Sequence, residues 1–226
     1  MPRVSALTFD RFIATAESAE ALADATTFAL EQPGAPHLLL LYGAPGVGKT
    51  HLLQSIVHSL GTRRGWASVV QTTGSELIQD LLDALRRDEN VALRGQHTQA
   101  ALIVVDDLHV LAGKPVTQAE IARLLKAVVE RGARVACAAG CAPEDIPVFT
   151  ETLLTLPGAK LAEIGRPGRD GMRRILAAIA TAAGLTLSAR TVVSIAEQCH
   201  GDVRCALGAL ARLRFEQTLP MHAEQR

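Results

Sequence analysis

Residues 43–50 read Gly-Ala-Pro-Gly-Val-Gly-Lys-Thr and have the spacing of a phosphate-binding loop. In such a loop, glycines allow backbone N–H groups to turn towards a polyphosphate, and the following helix adds the positive end of its dipole. Lys49 would contact the β- and γ-phosphates, and the Thr50 hydroxyl would bind Mg²⁺. The segment therefore predicts a site for ATP or ADP with Mg²⁺. The residues predicted to bind the nucleotide here are Gly43, Ala44, Pro45, Gly46, Val47, Gly48, Lys49, Thr50 and His51.

Asp106 and Asp107 follow an uninterrupted apolar run over residues 101–105. Ligands of parallel sheets bind outside the carboxyl ends of the strands, so a carboxylate at this position would face the nucleotide. Asp106 is predicted to hold Mg²⁺ through water, and Asp107 to polarise the water that attacks the γ-phosphate. Two adjacent aspartates alone would equally suit a helix cap. Downstream of a phosphate-binding loop, they predict the metal-binding and catalytic part of an ATP site.

Short apolar runs and amphipathic helical patterns alternate in the part of the chain that must position these residues. Predicted strands cover residues 38–41, 66–70, 101–105, 134–139 and 160–164, and predicted helices cover 16–30, 50–60, a stretch after Ser75, and 117–131. Gly61 is expected to end the second helix and Ser75 to cap the third. The alternation predicts an α/β fold with a five-stranded parallel sheet.

The glycine- and proline-rich residues 165–169 mark a predicted boundary. Helical patterns follow at 171–183, 188–199 and 202–217, and Asp202 is expected to cap the last of them. We therefore predict an α/β nucleotide-binding core over residues 1–165 and a small helical lid over residues 166–226.

The 226 residues include 23 basic and 23 acidic side chains, so no overall electrostatic field attracts nucleic acid. Any DNA contact is therefore expected to be weak or indirect. No apolar run approaches the length of a membrane span, and the N-terminal segment lacks the apolar region of a signal peptide. These features predict a cytoplasmic protein that does not span a membrane.

The four cysteines are Cys137, Cys141, Cys199 and Cys205, and their spacings fit no zinc-binding pattern. Two of them lie in apolar, strand-like surroundings. We therefore predict buried free thiols rather than a metal site.

Four segments, in the right order, resemble those of AAA+ ATPases of the DnaA and Hda type. Residues 8–12 are similar to the family's opening segment, and residues 42–54 to its phosphate loop with the His-Leu-Leu-Gln continuation. Residues 106–114 resemble its Asp-Asp-Ile-Gln-Phe-Leu-x-Gly-Lys stretch. Residues 202–210 resemble the lid segment whose arginine, called sensor 2, touches the nucleotide phosphates, and that arginine is Arg204 here. The resemblance implies the AAA+ fold with strand order 5-1-4-3-2 and a helical lid.

Three departures from the family pattern bear on function. The sequence ends at Arg226, so we expect no helix-turn-helix DNA-binding domain and no recognition of replication origins. Ala139 and Gly140 stand where the family carries a polar residue called sensor 1. Residues 135–165 contain no arginine, although the family's arginine finger lies there, and this leaves Arg166 and Arg169 as substitutes. The chain is therefore expected to keep nucleotide binding while its hydrolysis is weak or dependent on a partner.

Two hypotheses of different classes follow. The first is an ATP-binding regulator or accessory factor of DNA replication initiation, which contacts a DnaA-type initiator or another AAA+ subunit. The second is a helicase-loader or transposition-helper ATPase that acts on single-stranded DNA. Arg86, Arg87 and Arg94 occupy a position suited to DNA contact, but no aromatic residue lies between them and a solvated helix end explains them better. A small-molecule kinase is disfavoured because such an enzyme needs an acceptor pocket and several arginines in a mobile lid, whereas Arg204 stands alone on a regular helix.

A link to the sliding clamp is only weakly indicated. The resemblance to Hda implies a short Gln-Leu-rich clamp-binding peptide at the N-terminus, and residues 1–7 show none. Residues 217–221 are faintly similar, one residue short and at the opposite end, where a helix end before Pro220 explains them more simply.

Overall fold

The computed structural model describes residues 7–86 and 100–218. At its centre is a sheet of five parallel strands in the spatial order β2-β3-β4-β1-β5. The strands are β1 (Leu38–Tyr42), β2 (Val69–Thr73), β3 (Leu102–Asp106), β4 (Arg134–Ala139) and β5 (Lys160–Glu163). The predicted α/β class and the strand order 5-1-4-3-2 are therefore confirmed.

Helices precede, connect and follow the strands. Those associated with the sheet are α1 (Ala19–Leu30), α2 (Lys49–Arg64), α3 (Gly74–Arg86), α4 (Pro115–Glu130) and α5 (Pro147–Leu154). After the sheet come α6 (Arg169–Ala182), α7 (Ala189–Gln198) and α8 (Val203–Thr218). Short 3₁₀ turns lie at Phe9–Arg11, Trp66–Ser68, Leu108–Leu111 and Pro143–Asp145. Among residues 7–86 and 100–218, no helix combines the length and the apolar character that crossing a bilayer requires.

Both faces of the sheet are covered by helices. Leu38 and Leu40 join the buried cluster shared with α3, α4 and α5, whereas Leu39 and Leu41 join the cluster shared with α1 and α2. A strand buried on both faces appears in the sequence as a continuous apolar run, and for this reason β1 was predictable. Helices α6, α7 and α8 pack around a separate small cluster. The domain division after residue 165 stays a prediction.

Helix α2 continues past the glycine that was expected to end it. It runs through Gly61 to Arg64, and Gly65, with a φ of +88°, follows. Gly61 is buried inside the helix, and a Cβ at this position would come within 2.7 Å of the Trp66 ring. The prediction for Gly61 is therefore wrong, because its missing side chain makes room for Trp66 instead of ending the helix.

The predicted strand at 66–70 begins later than expected, and the cap of α3 lies two residues earlier than predicted, at Thr73 instead of Ser75. Residues 66–68 form a 3₁₀ turn in which Ser68 Oγ donates to the Gly65 carbonyl at 2.7 Å, so β2 begins only at Val69. Helix α3 begins at Gly74, which places Ser75 inside its first turn. Thr73 caps the helix instead: Glu76 N–H donates to Thr73 Oγ1 at 3.2 Å, and Thr73 N–H donates to Glu76 Oε2 at 2.7 Å. This reciprocal pair is a capping box.

Cys199 and Cys205 form a disulfide across the turn that enters α8. The prediction of free thiols is wrong for this pair, because His200 and Gly201 both have positive φ and the turn brings the two Cα atoms within 5.4 Å. The prediction holds for Cys137, which is free and fully buried, so that burial raises the pKa of its thiol. Cys141 is also free but only partly buried.

Candidate functional site

The loop between β1 and α2 surrounds the side chain of Lys49. The Lys49 ammonium group donates to the carbonyl oxygens of Gly43 and Ala44, each at 2.8 Å, and the residue is only 9% exposed. Burial lowers the pKa of Lys49 below its ordinary value. The negative charges of Asp106 and Asp107 act against this shift, whereas the positive charge of Arg204 adds to it. Residues from two distant parts of the chain, 106–107 and 204, are therefore near enough to Lys49 to influence its pKa.

Two glycines of the loop are required by what lies against them. Gly43 has a φ of +146°, and a Cβ there would overlap the backbone carbonyl of Ile164 at the end of β5. Gly46 has a φ of +79°, and a Cβ there would overlap the carboxylate of Asp202. The loop thus lies directly between the sheet and the segment that enters α8, and a side chain at either position would push these neighbours apart.

Thr50 and Asp106 lie together as the sequence predicted for a magnesium site. Thr50 Oγ1 donates to Asp106 Oδ2 at 2.7 Å, and the other carboxylate oxygen accepts the Asp107 N–H at 2.8 Å. Within the part of the chain that the structure describes, no group of three His, Cys, Asp or Glu side chains could enclose a metal ion. A hydroxyl and one carboxylate fit Mg²⁺, which binds oxygen ligands, keeps several waters and is usually completed by substrate phosphates.

Asp107 lies one residue beyond β3 in a left-handed backbone conformation, with a φ of +57°. Its exposed carboxylate has one oxygen 3.6 Å from Nδ1 of His109. Leu108 and Leu111, on either side of His109, are fully buried and anchor the short turn Leu108–Leu111. The sequence did not indicate His109 as a site residue, although a histidine three positions after Asp106 was visible.

The segment that enters α8 contacts the phosphate loop directly. Val203 N–H donates to the Gly46 carbonyl at 3.0 Å. Asp202 caps α8 as predicted, because its Oδ1 accepts the N–H groups of Arg204 at 2.8 Å and Cys205 at 3.3 Å. The Arg204 side chain is 68% exposed, with Nε 4.0 Å from the Asp202 carboxylate. The predicted sensor 2 arginine therefore stands on a helix that begins beside the loop, and its contact with nucleotide phosphates stays a prediction.

His51, unlike the other predicted nucleotide-binding residues, contacts the N-terminal segment of the chain. Its ring is half-buried in the first turns of α2, where Nε2 lies 3.0 Å from the Thr8 carbonyl and donates to it. Its ring also contacts Phe12 edge-on, at 5.3 Å between centroids, and Phe12 in turn lies beside Gly48. Burial lowers the pKa of His51, which favours the neutral ring. The imidazole thus joins the opening segment 8–12 to the loop, and its role towards a nucleotide stays a prediction.

The two arginines named as substitutes for an arginine finger lie at the start of the lid. Arg166 Nη1 donates to the His200 carbonyl at 3.1 Å, so its guanidinium is attached to the turn before α8 of the same chain. Arg169, in the first turn of α6, is 80% exposed and has Nη1 4.0 Å from Glu197. Of the two, Arg169 has the weaker attachment within its own chain.

Comparison with known protein families gives a match over most of the chain. A family model, the bacterial DnaA ATPase domain, matches residues 4–159. Among curated proteins, the chromosomal replication initiator protein DnaA of Synechococcus sp. (strain JA-2-3B'a(2-13)) is 32% identical over 206 residues. The aligned region covers 90% of this chain and 44% of that protein, so the chain spans less than half the length of this relative.

Solved structures share the same fold. Domain III of the Thermotoga maritima replication initiation protein DnaA has a TM-score of 0.81 and 22% identity, with 99% of this chain and 94% of that chain covered. A structure of the replication initiator DnaA bound to AMPPCP and single-stranded DNA has a TM-score of 0.79 and 22% identity, with 93% and 65% covered. The DnaC helicase loader is less similar, with a TM-score of 0.58, 15% identity, and 73% and 99% covered. The arrangement of sheet and helices is therefore that of the DnaA AAA+ domain.

Proposed function

This chain belongs to the bacterial DnaA ATPase domain family, and from that premise we propose that it is an ATP-binding regulator or accessory factor of DNA replication initiation. The observation that carries the proposal is the meeting of Lys49, the Thr50–Asp106 pair and the start of α8 around one glycine-rich loop. Initiators of this family include one solved with AMPPCP, an ATP analogue. The nucleotide expected here is ATP or ADP with Mg²⁺.

Each group has a distinct task towards the nucleotide. Lys49, held by two loop carbonyls, would exchange them for β- and γ-phosphate oxygens, and Arg204 would reach the phosphates from the lid. Thr50 and Asp106 would hold Mg²⁺, which neutralises charge on the phosphates. Asp107, exposed beyond Asp106, would polarise the attacking water. The family's arginine finger has no counterpart among residues 135–165. One copy of this chain therefore cannot supply that arginine to the site of another copy, and ATP binding is favoured over ATP hydrolysis.

The regulatory role requires contact with a DnaA-type initiator or another AAA+ subunit, and this contact should depend on bound ATP. We expect the immobilised chain to retain the purified initiator of the same cell in the presence of ATP with Mg²⁺, and much less with ADP or without nucleotide. The variant Lys49→Ala serves as the control, since it should retain little initiator under any condition. Equal retention with ATP, with ADP and by the variant would contradict a nucleotide-dependent regulator.

The alternative is an ATPase that acts on single-stranded DNA, as a helicase loader or transposition helper. Two observations favour testing it: the structural similarity to the DnaC helicase loader, and the DnaA structure that contains single-stranded DNA. The balanced charge of this chain opposes it. Arg87 and Arg94 lie outside the described residues, and of Arg86 the structure gives only its place at the end of α3.

We expect the isolated chain to bind single-stranded DNA weakly and without sequence preference, with a Kd in the nonspecific range of about 10⁻⁴ to 10⁻⁶ M at physiological salt. The reason is the equal number of acidic and basic side chains, which releases few counterions on binding. Fluorescence anisotropy with a labelled oligonucleotide, with and without ATP, measures this affinity. Submicromolar binding would instead favour the loader function.

Contact with the sliding clamp stays a weak hypothesis, since residues 1–6 and 219–226 lie outside the described chain.

A further inference from the structure

The carboxyl end of β4 lies at the centre of the proposed nucleotide site. In the sheet, β4 stands between β1, which leads into the phosphate loop, and β3, which ends at Asp106. The last register pair of β1 and β4 is Tyr42 with Ala139, so Gly140 comes level with the first residue of the loop. A polar side chain at position 140 would therefore lie between the loop and the aspartates, and glycine provides none.

His109 occupies the space that such a side chain would fill. A Cβ built on Gly140 would lie 3.3 Å from Nδ1 and 3.5 Å from Cγ of His109. The same Nδ1 is 3.6 Å from the Asp107 carboxylate. The ring thus lies between the end of β4 and Asp107, the residue proposed to polarise the attacking water.

The position of His109 is imposed by its neighbours in the chain. Leu108 and Leu111 are completely buried, which fixes the turn between them and leaves the imidazole as the part that projects outward. The side chain of His109 is 45% exposed, so a ligand can reach it. In the protonated imidazole both ring nitrogens are donors, so Nδ1–H can face the Asp107 carboxylate at 3.6 Å while Nε2–H donates to an acceptor on a bound ligand.

We propose that His109 contacts the γ-phosphate of bound ATP and takes the place of the polar side chain missing at position 140. This inference rests on the proposed nucleotide binding. ADP has no γ-phosphate, so the contact is made with ATP alone. His109 therefore increases the affinity for ATP relative to ADP, and this preference allows the protein to distinguish the two nucleotides without an arginine finger.

The test compares the affinities for AMPPNP and for ADP, each measured with Mg²⁺ by displacement of a fluorescent ADP analogue. His109→Ala should weaken AMPPNP binding about tenfold, the effect of one lost hydrogen bond to a charged group, and leave ADP binding unchanged. His109→Gln, whose longer side chain can place an amide N–H near the position of Nε2, should restore much of the difference. The matched control is His58→Ala on α2, whose ring packs against Trp66 in the turn before β2, at the end of the sheet opposite the site.

A second variant tests the exchange between the two positions. Gly140 does not have a positive φ, so a side chain is compatible with its backbone once His109 no longer occupies the space. Gly140→Asn in the His109→Ala background should recover the AMPPNP affinity. Equal losses for AMPPNP and ADP, or no change for either, would overturn the role of His109 while leaving the proposed function intact. A wild-type chain that binds neither nucleotide would overturn the proposed function and this inference with it.

Discussion

Replacement of Lys49 by alanine is expected to abolish nucleotide binding, with a loss of affinity of at least about 100-fold for both ATP and ADP. The Lys49 ammonium group is the cation enclosed by the loop, and no other lysine lies in residues 38–106 to replace it. The wild type should bind with micromolar or tighter affinity. Isothermal titration calorimetry with Mg²⁺ present is the direct measurement.

The control for Lys49→Ala must separate lost phosphate contacts from a disturbed loop. Lys126→Ala removes a lysine on α4 that donates to Thr155 Oγ1 at 3.1 Å, away from the loop, and it should bind nucleotide as the wild type does. Thermal unfolding of each variant without nucleotide shows whether the substitution has destabilised the folded chain. Equal affinity of wild type and Lys49→Ala would remove the basis of the proposed function.

The second large effect concerns hydrolysis. In AAA+ assemblies an arginine from the neighbouring subunit neutralises charge that develops on the γ-phosphoryl group, and such a finger increases the rate by about 10³ to 10⁵. Residues 135–165 contain no arginine. Lys160 in β5 is a poor substitute, because a point charge lacks the planar fork of a guanidinium and because its Nζ lies 3.4 Å from Asp24. Copies of this chain should therefore not activate one another.

We expect steady-state phosphate release by the protein alone to be slow and proportional to its concentration, with no increase in specific rate as the concentration rises. The chain should likewise not stimulate hydrolysis by a DnaA-type initiator, whereas an initiator that supplies an arginine to Asp106 and Asp107 could stimulate hydrolysis here. The measurement compares the wild type with the double variant Arg166→Ala and Arg169→Ala, alone and with the initiator.

A third arginine near the start of the lid, Arg173, provides the control for the double variant. Arg173→Ala removes another α6 arginine, which pairs with Asp170 at 3.3 Å, and it should leave the rate unchanged. A specific rate that rises with concentration and falls only in the double variant would identify Arg166 or Arg169 as the finger. A high rate that rises with concentration and persists in the double variant would refute the prediction.

Sequence alone was sufficient to predict the local structure around the proposed nucleotide site. The loop 43–50 was predictable because its chemistry depends on residues adjacent in the chain, and β1 and β3 were predictable because strands buried on both faces are continuously apolar. The cap formed by Asp202 on α8 is equally local, since acceptor and donors are two or three residues apart. In each case the physical requirement is expressed within a few consecutive residues.

Tertiary structure decided the features that depend on residues distant in sequence. Gly61 looked like a helix end, but its lack of a side chain serves the packing of Trp66. Gly140 looked like the loss of a polar group, but the space beside it is filled by His109 from the adjacent strand's loop. Gly46 must be a glycine because Asp202, far along the chain, lies against it. A sequence shows which side chain is absent, whereas only the folded chain shows which distant side chain occupies the space, because that contact is set by the order and register of the strands.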